Sequence, residues 1–160
     1  MSDRFVGKFP AIVVDNDDPK RLSRIKVKVP EVFGDVDTGW CLPCSPYAGA
    51  GAGFAAVPPA NSVVFVEWPA GDTTRSPIWS GGMWTDGNGV DGAAPDVILL
   101  VTPSGHKIAL AEEKNAVDIE APSGAALRLD DDGAAIKVGS SKIEIKDGSV
   151  SINGGALEVK

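Results

Sequence analysis

The sequence predicts an all-β chain: an N-terminal closed barrel, then a shaft of short strands that three copies complete. Three observations carry this. All ten aromatic residues lie between Phe5 and Trp84, and the 76 residues from Thr85 to Lys160 hold none. The apolar residues of the first half fall in β-branched runs of strand length, closed by Pro, Gly, Asp and Asn. The second half repeats a pair of aliphatic residues around one polar or small residue. So sharp a change of composition within 160 residues points to two structures joined. The boundaries read as a barrel over 1–84, a Gly/Asp/Pro-rich linker over 85–96 and a shaft over 97–160.

The barrel strands follow in order. Lys8 to Val14 is a β-branched run ended by the turn cluster Asp15-Asn16-Asp17-Asp18-Pro19. Arg24-Ile25-Lys26-Val27-Lys28-Val29 alternates with period two and stops at Pro30, so one face is buried and the other solvated. Ser62 to Trp68 and Pro77 to Trp84 give two more strands, and Gly39 to Pro43 a short fifth. No stretch carries a 3.6-residue apolar stripe, although the Ala/Gly-rich segment Tyr47 to Ala56 has room for one helical turn. Four or five strands in about 80 residues suit a small closed barrel of the OB-fold kind.

The shaft pairs are Ile108/Leu110, Val117/Ile119, Leu127/Leu129, Ile136/Val138, Ile143/Ile145, Val150/Ile152 and Leu157/Val159. Their spacings are nine, ten, nine, seven, seven and seven residues, which is an internal repeat. A five-residue strand with two aliphatic side chains cannot bury them alone. Three chains around one axis solve this, each giving Val, Ile and Leu to a narrow triangular core too small for rings. The predicted trimer core is therefore Ile108, Leu110, Val117, Ile119, Leu127, Leu129, Ile136, Val138, Ile143, Ile145, Val150 and Ile152. At about 4.8 Å per strand, eight layers make a rod of roughly 35–40 Å. A monomeric meander or solenoid is the alternative that the pattern leaves open.

Charge and leader signals exclude other classes. The net charge is −7; the first 84 residues carry eight basic and nine acidic side chains, the rest seven and thirteen. An acidic chain without a basic run does not suit nucleic acid as its partner. Met-Ser-Asp-Arg-Phe has no basic-then-apolar leader, and Val97-Ile98-Leu99-Leu100-Val101 is too short to span a bilayer. The expectation is a chain made in the cytoplasm without a signal peptide.

The first half resembles the OB-fold base domain of the central spikes of contractile phage tails and related injection systems. That family includes the phage baseplate assembly protein V group and the VgrG spikes of type VI secretion. The resemblance rests on Gly7 to Val13 with Asp15 to Pro19, on Ser23 to Pro30, and on Trp40-Cys41-Leu42-Pro43-Cys44-Ser45-Pro46-Tyr47-Ala48-Gly49. Val57 to Trp68, Gly71-Asp72 and Ser76 to Gly81 complete it. The short-strand half resembles the intertwined trimeric β-helix, or β-prism, that forms the needle of that family. The resemblance implies a homotrimeric, membrane-piercing central spike that joins a hub or baseplate protein of the tail tube to a tip and transmits contraction force. It implies a PAAR-type tip protein, a target-cell envelope met transiently, and a place in an assembled phage tail or injection particle. The tip contact would be Leu157, Glu158, Val159 and Lys160, and the hub contact Tyr47 and Phe54. Some relatives carry a lysozyme domain between barrel and needle, but here only the linker separates them. Some end in an iron-binding, histidine-rich apex, whereas His106 is the only histidine here.

Other motifs have plain readings. Cys41-Leu42-Pro43-Cys44 has thioredoxin-like spacing, but Ser45-Pro46 and a Gly-rich loop follow rather than a helix, so two buried thiols or an incidental disulfide is expected. No second CxxC or nearby His supports zinc. Gly49 to Gly53 lacks phosphate-loop spacing. Asp15 to Asp18 and Asp130-Asp131-Asp132-Gly133 fail as calcium loops, with Lys26 and Ser141 at the twelfth place. His106 has no organised triad. The sequence thus predicts no catalytic residue, no metal site and no cofactor. The rival reading is an OB-fold ligand-binding module for carbohydrate or nucleic acid with a trimerising tail, its four Trp serving as a stacking platform.

Overall fold

The computed structural model describes residues 4–159, with side chains through Leu157. The chain divides into compact units over 1–88 and 89–160. In both, nearly all of the regular structure is strand.

The first unit is a curled five-stranded sheet, ordered β2 (Lys26–Lys28), β1 (Phe9–Asp15), β6 (Val63–Glu67), β7 (Ile78–Met83), β3 (Leu42–Pro43). Alternation aims Ala11 and Val13 of β1, Val27 of β2, and Val64 and Val66 of β6 inward. They meet Ile25, Val29, Cys41 and Trp68 in one buried cluster. The two sheet ends join because β3 continues from Cys41, which bridges Ile25 just ahead of β2. Ile25 N donates to Cys41 O at 3.3 Å, and Cys41 N to Ile25 O at 2.7 Å. The ring of strands is thereby closed, which removes free edges. Trp68 caps the core, with Phe9 and Phe33 edge-on at 5.8 and 5.7 Å.

Two features differ from the sequence expectation. The segment after Tyr47 is not helical: β4 (Ala48–Gly49) and β5 (Ala52–Gly53) form a tight hairpin, because Gly51 supplies the positive φ its turn needs. A single helical turn, α1 (Pro30–Phe33), starts at the proline read as a strand end.

The loop after β1 is held by one carboxylate. Asp18 accepts from the backbone N–H of Lys20 at 2.9 Å, of Leu22 at 2.7 Å and of Arg24 at 3.3 Å. Arg24 adds Nε at 3.0 Å, and Arg24 in turn lies over the Trp40 ring. This is an anchored turn, not a cation loop.

The second unit is one antiparallel meander of eight strands in sequence order: β8 (Val97–Val101), β9 (Lys107–Ala111), β10 (Ala116–Glu120), β11 (Ala126–Asp130), β12 (Gly133–Val138), β13 (Ser141–Lys146), β14 (Ser149–Ile152) and β15 (Leu157–Val159). Gly133 opens β12 at φ +135, and a side chain there would run into the Ile145 carbonyl oxygen.

The Asp18 anchor predicts a pH dependence. The Arg24 guanidinium, helped by the three N–H donors, holds the Asp18 carboxyl well below the usual carboxylate range, against a smaller opposing effect of burial. An unfolded Asp titrates near pH 4 (about 3.9). The contribution is therefore fully present above that pH and is lost as pH falls through the depressed native value. The barrel's resistance to denaturant should fall from about pH 5 to about pH 2. In Asp18→Asn the slope should be shallower and stability at neutral pH lower. An unchanged slope would contradict the anchor role.

Candidate functional site

Strand pairing places the aliphatic pairs of the meander on a single face. One column runs Leu100, Ile108, Ile119, Leu127, Ile136, Ile143, Ile152, Leu157, each directly opposite the next. The other runs Ile98, Leu110, Val117, Leu129, Ala134, Ile145, Val150. All twelve residues named from the sequence as a trimer core lie on this face, with Val138 two residues beyond Ile136 on β12. Ile98 and Leu100 extend the face by a strand. They escaped the sequence reading because Val97 to Val101 is apolar throughout and shows no alternation.

This face is bare in the single chain. Its large side chains retain between 37% and 64% of their surface, apart from the somewhat more covered Val117, Leu127 and Ile152. Among the described residues, the only buried hydrophobics of the unit are Ala109 and Ala116, and both sit on the opposite face. The sheet thus has no core of its own. Covering each half-exposed aliphatic is worth on the order of 1 kcal/mol. The curl of the sheet turns part of the face into a concavity of about 430 Å³ lined by Leu100, Ile108, Ile119, Leu127 and Ile136.

The opposite face is apolar at its start, where Val97, Leu99, Ala109, Ala111 and Ala116 lie, and beyond that it is polar with ion-paired charges. Arg128 Nη1 donates to both Asp118 oxygens at 3.0–3.1 Å, and its Nε to Asp130 at 2.7 Å. Lys142 donates to Glu144 at 2.7 Å. These partners hold Asp130 and Glu144 below the usual carboxylate range. A sheet with paired charges on one side and bare aliphatics on the other has a wet face and a face awaiting a partner.

The hub candidates Tyr47 and Phe54 flank the β4–β5 hairpin and are both exposed. Phe54 N donates to Tyr47 O at 3.0 Å, and the Ser45 hydroxyl lies 2.9 and 2.8 Å from the two carbonyls. Two exposed aromatic residues thus stand at the base of a braced turn. Of the tip candidates, Leu157 is exposed on β15; Lys160 lies outside the described residues, as do the side chains of Glu158 and Val159.

Competing chemistry finds little support. Cys41 is buried, 3.3 Å from the Thr38 hydroxyl, and burial pushes its thiol up to about 11, the reverse of a reactive thiol. Cys44, expected to be buried, is exposed, and the two are not bonded. Strand β3 follows Cys41 where a redox site needs a helix. The tryptophans do not form a stacking platform. Trp68 is in the core, Trp79 is half-buried with its Nε1 donating to Ser23 O, and Lys26 and Arg24 occupy the face of Trp40, leaving Trp84 exposed. Among the described residues no cluster of three metal-ligating side chains occurs, and no helix is long and apolar enough to cross a membrane.

A family model described as the type VI secretion system/phage-baseplate injector OB domain matches residues 9–84. A second, the phage baseplate V C-terminal trimerisation domain, matches residues 97–158. The first agrees with the curled N-terminal sheet, and the second makes the eight-stranded sheet a trimerisation domain. Comparison with curated proteins gave no match.

Neighbours on β13 separate the two faces in one experiment. Ile143→Asp puts a carboxylate on the aliphatic face and should weaken self-association at least a hundredfold, about 3 kcal/mol or more. Glu144→Gln, one residue away on the polar face, should change it by less than about 0.5 kcal/mol. Sedimentation equilibrium over a dilution series reads both; equal effects would show that the aliphatic face is not the interface.

Proposed function

The chain belongs to the phage-baseplate and type VI secretion spike family, and from that premise we propose that it works as a non-enzymatic, homotrimeric central spike that pierces a target envelope. The carrying observation is the trimerisation sheet with one bare aliphatic face and no core of its own. Three such faces turned inward give a dry axis, and three polar faces turned outward give a shaft that can pass through a wet wall. Backbone hydrogen bonds run strand to strand along the meander, so an axial load falls on a continuous ladder rather than on side chains alone. The right-handed twist of the strands makes such sheets coil around a shared axis, which is the trimeric β-prism geometry.

The barrel is the attachment module in this reading. Its core is complete within one chain, so its exposed rings are free for a partner. Tyr47 and Phe54 dock against a hub ring at the end of the tail tube, as rigid aromatic anchors do in protein interfaces. A separate tip protein of the PAAR type caps the strand around Leu157. Sheath contraction then drives the assembly forward, with the spike transmitting the force.

Reconstitution of particles lacking the native chain tests this. Adding the wild-type chain should restore envelope permeabilisation, while particles without it should contract without permeabilising. Tyr47→Ala combined with Phe54→Ala should leave association intact and lower incorporation roughly ten- to hundredfold. Permeabilisation without the chain would refute the piercing role, and full incorporation of the double variant would refute the hairpin contact.

A further inference from the structure

In an antiparallel meander successive turns fall on alternate edges, and here the two edges differ in chemistry. One edge consists of Asp96 entering β8 and the turns over 112–115, 131–132 and 147–148. It carries six carboxylates and one lysine. The other consists of the turns over 102–106, 121–125, 139–140 and 153–156, which hold no carboxylate, no Lys and no Arg. Its single ionisable side chain is His106.

The uncharged edge is shaped for close approach. Two of its turns repeat Pro-Ser-Gly, at Pro103-Ser104-Gly105 and Pro122-Ser123-Gly124. Both glycines have positive φ, +88 and +82, and each N–H closes its turn at 2.9 Å, to Thr102 O and Ala121 O respectively. The turns stack, with the Pro122 ring 3.7 Å from where a Cβ on Gly105 would stand. His106 sits where this edge meets the aliphatic face. Its Nδ1 lies 3.0 Å from the Ser104 hydroxyl, and its ring lines the same concavity as Leu100 and Ile108.

We propose that neighbouring chains of the trimer meet through unlike edges, the acidic turn edge of one chain against the Pro-Ser-Gly edge of the next, with His106 facing the carboxylates. The proposal rests on the trimeric reading and adds which surfaces touch. A three-fold axis relates chains head to tail, so every seam joins opposite edges of adjacent copies. The chemistry favours that order. Two acidic edges together would repel, whereas the uncharged edge offers hydroxyls, backbone N–H groups and one imidazole to carboxylates. Both edges are continuous with the aliphatic face, so burying that face brings them into reach. Parallel, in-order assembly is thereby selected against a two-fold pairing of like edges.

Cysteine cross-linking of the full chain tests this in a Cys44→Ser background, Cys41 being buried. Ser104→Cys is made alone and combined with Glu113→Cys or with Asp131→Cys, one hairpin apart to cover either axial offset. The two acidic-edge substitutions are also made alone. Within one chain the edges are about 17 Å apart across a five-residue strand, beyond a short bismaleimide. The expected result is a trimeric native mass throughout, covalent trimers on a denaturing gel from at least one double variant, and no cross-linked dimer from any single variant. A native trimer whose single variants cross-link, or whose double variants both fail to, would overturn the edge pairing alone. A monomeric native mass would overturn the trimeric reading beneath it.

Discussion

An aliphatic sheet face with nothing against it is the constraint on which the rest of this molecule depends. The strands of the C-terminal unit are three to six residues long and give the face mostly two side chains each. A single layer of that kind satisfies its backbone hydrogen bonds but buries only two alanines, Ala109 and Ala116, among the described residues. Its polar face holds ion pairs between Arg128 and two aspartates, and these are half-exposed and contribute little to stability. The favourable burial must come from other copies. The family's trimerisation domain is therefore a physical requirement of this sheet as much as an assignment. In the proposed trimer the missing aromatics follow from the same geometry, since a narrow axis shared by three sheets has no room for rings.

The barrel follows the opposite logic. It closes on itself through the Ile25–Cys41 bridge, buries its Val and Ile core and Trp68 within one chain, and fixes the turn after β1 with Asp18 and Arg24. A unit that needs no partner for its fold can spend its surface on docking. That division, one unit with a core of its own and one without, suits the proposed spike role.

Much of this was legible in the residues. Period-two alternation in Arg24 to Val29 gave the inward Ile25, Val27 and Val29 directly. The paired aliphatics gave the meander strand by strand, because both periodicity and turn chemistry agree there. What escaped was set by longer-range geometry. Tyr47 to Ala56 is too poor in side chains to distinguish a turn of helix from a hairpin. The exposure of Cys44 depends on where β3 leaves the barrel, which no local pattern records. The apolar run at β8 hid its alternation, so Ile98 and Leu100 were not separated from Val97 and Leu99. The contrast between the two shaft edges becomes visible only when turns are sorted by edge, which requires the strand order.

The most direct measurement of the central claim is the native mass of the intact chain across a wide dilution range. A sheet that buries its aliphatic face only against two other copies predicts a single species of about three times 16.5 kDa that persists on dilution and does not bind dyes that report exposed apolar surface. A stable, well-folded monomer at micromolar concentration, with the aliphatic face open to solvent, would contradict it.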